Sequence, residues 1–182
     1  MKETIRQLIH LIFGLGIAFF LYFSDRSAAI AVLTLSIFLG VIFSDAIAKG
    51  YRIPLVSWIV NGLERKEAVP GKGTLIFIIS ALFVIVFFQK DIVFISLVVL
   101  SVLDSISTII GIKIGKHRIY KSKSLEGFLS GIIAACIVLL AFIPIQTALL
   151  VSIVGGITEL ISPIDDNISI PVCVCLVLTF IS

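Results

Sequence analysis

The chain has 182 residues, of which 59% are hydrophobic and only 14% charged, with a mean hydropathy of +1.24. Soluble domains carry about 25% charged residues, so the composition excludes an ordinary water-soluble globular protein and implies an integral membrane one. The net charge of +3 matters only through where the charges lie. No stretch between the apolar runs is long enough for a separate soluble fold, so residues 1–182 read as one domain with no nucleic-acid partner.

Apolar runs long enough to approach a ~30 Å hydrocarbon core recur along the chain. Seven spans are expected, over residues 5–23, 28–47, 74–88, 92–112, 127–143, 145–161 and 168–182. Runs this apolar, without alternation, predict helices and not a barrel, so the expected fold is an all-α polytopic bundle. The first run is long for a signal-peptide core and similar runs follow it, so it reads as a span. The third and last are short, which leaves room for tilt or a re-entrant element. Pro144 implies a tight turn between spans five and six. Cys136, Cys173 and Cys175 fall inside apolar runs and read as small core residues.

With the N-terminus placed in the cytoplasm, twelve lysines and arginines fall on the inner segments and two, Arg26 and Lys90, on the outer. The positive-inside rule then predicts a multi-pass protein of the cell membrane, N-terminus in and C-terminus out.

Ionisable side chains inside a bilayer cost at least ~2.5–3.5 kcal/mol at its centre. The embedded or boundary candidates are His10, Asp45, Asp104 and Glu159, and all fall in the cytoplasmic half. Asp165 and Asp166 follow in the last inner loop. Asp104 lies eight residues from the inner end of its span, roughly 12 Å deep at 1.5 Å per residue. Helical spacing places Asp104, Thr108, Gly111 and Gly115 on one stripe, if the helix continues that far. Ser152, Gly155, Gly156 and Glu159 form a second stripe, and Arg6, His10 and Gly14 a third. Small residues on such stripes also serve close helix packing, an equal explanation for Gly14, Gly155 and Gly156.

Two basic loops share this layer. The second ends in Lys121, Lys123 and Ser124 followed by Glu126. A loop that only fixes topology or binds headgroups needs no such acid. Cations beside carboxylates suit a metal-bound polyphosphate. The first loop contains Pro70-Gly71-Lys72-Gly73-Thr74, which lacks the Walker glycine because Lys66 stands in its place. Its backbone N–H groups could face a phosphate, or it could be a flexible turn. His117 and Tyr120 read as interfacial residues without a chemical role.

Asp104-x6-Gly111-x3-Gly115, followed by Lys121-x-Lys123-Ser124-Leu125-Glu126-Gly127, resembles the nucleotide-binding region of the polyprenol kinase family. That family includes dolichol kinases, phytol kinases and CTP-dependent diacylglycerol kinases. The likeness runs nearly end to end. It takes in Arg6 and His10, then Glu64 and Arg65 before Pro70-Gly71-Lys72-Gly73-Thr74, then Glu159 before Asp166-Asn167 and Ile170-Pro171. The chain departs from the family where Ser107 replaces a common alanine, and larger members carry extra spans.

The resemblance implies transfer of the γ-phosphoryl group of CTP to the hydroxyl of a membrane lipid alcohol: an isoprenoid alcohol such as a polyprenol, dolichol or phytol, or diacylglycerol. It implies Asp104 and Asp166 as Mg²⁺ ligands, with Glu126 or Glu159 completing the set. Lys121, Lys123 and Ser124 would hold the nucleotide, with Lys72, Gly71, Gly73, Gly111 and Gly115. Arg6, His10, Glu64, Arg65 and Asn167 would support. Phosphatidate cytidylyltransferases share a related Asp…Gly…Gly…Lys…Glu-Gly pattern, so formation of a CDP-lipid is the alternative. A transporter is a further one, although its acids should be spread through the depth of the membrane.

Overall fold

In a computed structural model, residues 2–51, 53, 69–120 and 123–181 are described. Among them are seven helices and one two-stranded hairpin. The helices are α1 (Lys2–Phe23), α2 (Arg26–Ala48), α3 (Lys72–Phe87), α4 (Lys90–Ile114), α5 (Leu125–Leu139), α6 (Ile145–Ile161) and α7 (Asp166–Ile181). Each coincides with one of the seven apolar runs. The fifth stops at Leu139, earlier than its run, because Leu140–Ile143 turn back onto Cys136, Val138 and Leu139 through backbone hydrogen bonds. Pro144 then leads into α6. The described residues are all-α apart from the hairpin, whose strands β1 (Arg118–Tyr120) and β2 (Lys123–Ser124) pair antiparallel. So short a ribbon carries no periodicity for sequence to show.

α1, α2 and α4 are long and apolar enough to cross a membrane. α3 and α7 have 16 residues each, about 24 Å at 1.5 Å per residue. α4 is apolar on every side between Ile92 and Leu103, and it is buried accordingly at the centre of the bundle. α1, α5 and α7 pack around it, α6 lies against α5 and α7, and α2 lies on α3.

Glycine sets the closest of these approaches. A Cβ on Gly127 would stand 2.5 Å from the Ser107 carbonyl oxygen and 3.1 Å from Gly111 Cα. One on Gly131 would stand 2.9 Å from Ser107 Cβ. α4 and α5 therefore meet nearly backbone to backbone. Gly14, Gly155 and Gly156 are packing positions too: a Cβ on each would run into Ser101, Val99 and Ile132 respectively.

The two ends of the bundle differ in chemistry. At one, the α1–α2 and α3–α4 turns are cross-bonded, Arg26 Nη2 donating to Val86 O at 2.6 Å and Lys90 Nζ to Ser24 O at 2.6 Å. Phe94 packs there against Phe19, Tyr22 and Phe142, with ring centroids 4.9–5.2 Å apart. At the other end α1, α3, α5 and α7 begin, α4 and α6 finish, and polar side chains collect.

Candidate functional site: a carboxylate and lysine cluster

Three helices each deliver one acid to this polar end. Asp104 comes from α4, Glu159 from the last turn of α6 and Asp166 from the first turn of α7, and one carboxylate oxygen from each lies within 4.8 Å of the others. Glu159 is only 5% exposed. Such a group needs partners, because an unpaired buried charge is strongly unfavourable. It has two: Lys123 Nζ donates to Glu159 Oε1 at 3.0 Å, and the Ser107 hydroxyl donates to the same oxygen at 2.7 Å. The same ammonium donates to Asp166 Oδ2 at 2.8 Å. Burial pushes the Lys123 ammonium down, but Glu159 and Asp166 outweigh it and hold its pKa above the ordinary lysine value.

The hairpin is what brings Lys123 to the acids. Its second strand runs into α5, where Ser124 Oγ accepts from Gly127 N at 3.2 Å and so caps the helix. Leu125 N donates to His117 O at 2.8 Å, tying the strand start to the same corner. Asp165 and Asp166 divide their roles in the same way. Asp165 Oδ1 accepts from the backbone and side-chain nitrogens of Asn167, at 3.1 and 2.8 Å, and caps α7. Asp166, one residue on, turns to Lys123.

These groups face a cavity of about 1280 Å³. From α1 it is lined by Arg6 and His10, with Arg6 paired to Glu3. His10 Nε2 is 3.4 Å from Asp104 Oδ2, too far for a good hydrogen bond, and its ring meets Phe77 edge-on at 5.4 Å. From α3 the lining is Gly71, Lys72, Gly73 and Thr74, the first turn of the helix and its cap. Gly71 has φ +77°, the left-handed conformation that glycine adopts without strain. Ser44 Oγ fixes this corner by donating to Pro70 O at 2.5 Å. Thr108 and Gly111 of α4 line the cavity beside Asp104, and Ser124 and Asn167 complete the expected residues that reach it.

Other expected site residues stand elsewhere. Glu126, expected among the metal ligands, is set apart from the three clustered acids. Its carboxylate lies 2.7 Å from His117 Nδ1 and accepts from His117 N at 3.2 and 3.3 Å. The His117 ring and neighbouring backbone amides hold its pKa down at about 2. The hairpin causes this: it folds His117 back over the start of α5, and the nearest donors capture Glu126. Gly115, expected to contact nucleotide, ends α4 against Ser124, whose Cβ would be 2.8 Å from an added methyl. Its position makes room for the hairpin. Asp45 pairs with Lys49 at 2.7 Å on an exposed surface. Lys121, Glu64 and Arg65 lie outside the described residues.

Three further residues belong with the site. Ser107 was visible in sequence only as a departure from a pattern; it follows Asp104 by one turn, and that spacing is the signal for its place beside the acids. Arg118 and Tyr120, alternate residues of β1, both line the cavity. His117 and Tyr120 are thus more than interfacial, the one holding Glu126 and the other forming cavity wall.

Fold and site together define an all-α protein with helices of membrane-spanning length around a polar cavity, in which one lysine is shared between acids of separate helices. The chain is 36% identical over 183 residues to the uncharacterized protein MJ1137 of Methanocaldococcus jannaschii, covering 98% of this chain and 93% of the archaeal one. It belongs to the family of that protein. No protein-family model matches the chain, and no solved structure matches it.

Proposed function

We propose that this protein is a CTP-dependent lipid-alcohol kinase of the cell membrane. It crosses the bilayer seven times with its N-terminus in the cytoplasm, and it transfers a γ-phosphoryl group to an isoprenoid alcohol or diacylglycerol. The observation that carries this reading is the gathering of Asp104, Glu159 and Asp166 within 4.8 Å around the Lys123 side of one cavity. Acids buried in membrane-spanning helices are costly, and so their presence points to a functional site. The inner-face concentration of basic residues supports a cytoplasmic opening.

The donor set suits Mg²⁺. Three carboxylates within 4.8 Å of one another offer the hard oxygen donors that this ion takes. Asp104, Glu159 and Asp166 would hold the ion. When bound, the ion would neutralise charge on the nucleotide phosphates. Lys123 exchanges its carboxylate partners for phosphate oxygens as the nucleotide arrives. Lys72 and the first N–H groups of α3 face the triphosphate, where the helix dipole favours negative charge. Ser107 fixes the Glu159 carboxylate. The acceptor oxygen bonds to the γ-phosphorus in line with the departing β-phosphate oxygen, CDP leaves, and the hydroxyl proton passes to water.

The test is incubation of purified protein with Mg²⁺, a panel of lipid alcohols and CTP labelled at the γ or the α phosphorus. Label from the γ position is expected in lipid. Entry of α label with release of pyrophosphate would assign a cytidylyltransferase instead, and no labelled lipid in either case would refute the enzyme.

A further inference from the structure

Two residues of the cavity wall have no use in a phosphate or cation site. Ile9 and Phe13 are one helical turn apart on α1, both line the cavity, and they are 42% and 39% exposed. Their neighbours Leu8 and Ile12 are exposed without lining the cavity, so along α1 the cavity edge passes onto an outer apolar face and the wall has a gap there.

Depth decides what the gap opens onto. Phe13 is eleven residues into α1, about 16 Å from its start, and Asp104 is ten residues back from the end of α4, about 15 Å. The gap is therefore level with the Asp104 carboxylate. Arg118, Tyr120 and Ile164, exposed residues that also line the cavity, stand instead at the end of the bundle and mark its aqueous side. Phe13 touches Phe77 of α3, 1% exposed, with ring centroids 5.9 Å apart, so the two rings form the floor of the gap. His10 sits between these rings and the acid, against Phe77 and 3.4 Å from Asp104. The surface outside is apolar, with Leu8 46% and Ile12 72% exposed. Apolar exterior, aromatic floor and acid thus follow one another in a line.

We infer that the gap between α1 and α3 is the binding site for the hydrocarbon chain of the substrate, entered sideways from the bilayer. This rests on the lipid-alcohol kinase reading. The chain lies over Ile9 and against the Phe13–Phe77 ring pair, its hydroxyl beside His10 and Asp104, while nucleotide enters from the aqueous end. Continuity with the acid cluster favours a hydroxylated chain over a packed helix from another protein, which would have no need of a passage to the acids. A chain leaving lipid gains little from apolar contact as such. Ile9, Phe13 and Phe77 therefore set position and selectivity among alcohols.

Two measurements on the purified full-length protein in detergent test this. A C20 prenyl alcohol carrying a diazirine near its hydroxyl should, without nucleotide, crosslink to peptides containing residues 9–13 and Phe77, and unlabelled alcohol should compete. In the kinase assay, Phe13→Trp and Ile9→Trp should raise KM for the C20 alcohol about tenfold, with KM for CTP and for a water-soluble C5 alcohol within twofold. Ile12→Trp, on the same helix but away from the cavity, is the control and should leave all three unchanged. Crosslinks on other helices, or an unchanged C20 KM in tryptophan variants with wild-type thermal stability, would overturn the gap as chain site while the kinase stands. Crosslinking at residues 9–13 in a protein that phosphorylates no alcohol would refute the kinase and keep the lipid site.

Discussion

Lys123 and Asp166 meet at 2.8 Å although 43 positions separate them in the chain. The same ammonium holds Glu159 at 3.0 Å, so one cation joins the hairpin to the end of α6 and the start of α7. One ammonium against three carboxylates leaves the cluster short of positive charge. On the proposed kinase reading a metal-bound nucleotide supplies the remainder, and lysine is the part that moves.

Lys123→Met tests that balance. Removing the cation leaves Glu159 and Asp166 facing Asp104 without compensation, and Lys123 is 30% exposed, so water repays part of the loss. We expect destabilisation of about 1–3 kcal/mol, read as a lower Tm in detergent with EDTA. Millimolar Mg²⁺ should recover much of it, because the ion replaces the missing charge. A Tm that ignores Mg²⁺ would remove the acids as a cation site. Phosphoryl transfer should be lost with or without the ion.

Asp104→Asn separates function from stability. The substitution keeps the shape and removes one of three crowded negative charges, so Tm without metal should match or exceed wild type. Transfer should fall by about 100-fold or more, close to 3 kcal/mol of transition-state stabilisation. Near-normal turnover would exclude Asp104 from the chemistry.

Glu126→Gln probes the corner that carries the hairpin. With its pKa lowered to about 2 from 4.5, the carboxylate contributes stability that is complete above about 4.5 and disappears as pH falls towards 2. The Tm difference between wild type and Glu126→Gln should therefore be full near pH 6 and shrink below 4.5. Because Glu126 holds the hairpin and stands apart from the clustered acids, KM for CTP should rise about fivefold while kcat changes less. A kcat loss as large as that of Asp104→Asn would place Glu126 in the chemistry after all.

Gly127→Ala examines the seam between α4 and α5. The new methyl would sit 2.5 Å from the Ser107 carbonyl oxygen and 3.1 Å from Gly111 Cα, both backbone atoms of a buried helix. Overpacking of this kind costs about 1–3 kcal/mol or more. Lower Tm and lower yield of folded protein are expected, and an unchanged Tm would mean the seam is looser than drawn. Gly73→Ala, where an added methyl meets nothing within 4 Å, should be tolerated structurally.

Much of this was open to inspection in the sequence, for reasons that differ by residue. The seven apolar runs became seven helices because, at this hydropathy, run length alone decides. Asp104, Thr108 and Gly111 were legible as one face because helical spacing fixes direction within a single element. Meeting of Asp104 with Glu159 and Asp166 followed from depth, since acids confined to one layer of a small bundle have few places to go. Glu126 was not legible. Its partner depends on a hairpin of a few residues that looks in sequence like any basic loop. The hydrogen bond from Ser107 spans 52 positions, and nothing local announces it. Glycines mislead for another reason: the residue type that admits a phosphate also admits a neighbouring segment, and the structure supplies the hairpin at Gly115 and α4 at Gly127.

Consider, finally, the far end, where Arg26 reaches Val86 and Lys90 reaches Ser24 across adjacent turns. Parting the helices here would break both ties and the edge-packed rings around Phe94, whereas at the opposite tips it would break neither. Any separation of α1 from α3 is therefore expected at the polar end, as the jaws of tongs part while the joint stays shut. On the proposed reading, the widening that admits a lipid alcohol then falls beside Asp104, and the half of the bundle nearer the joint keeps its packing.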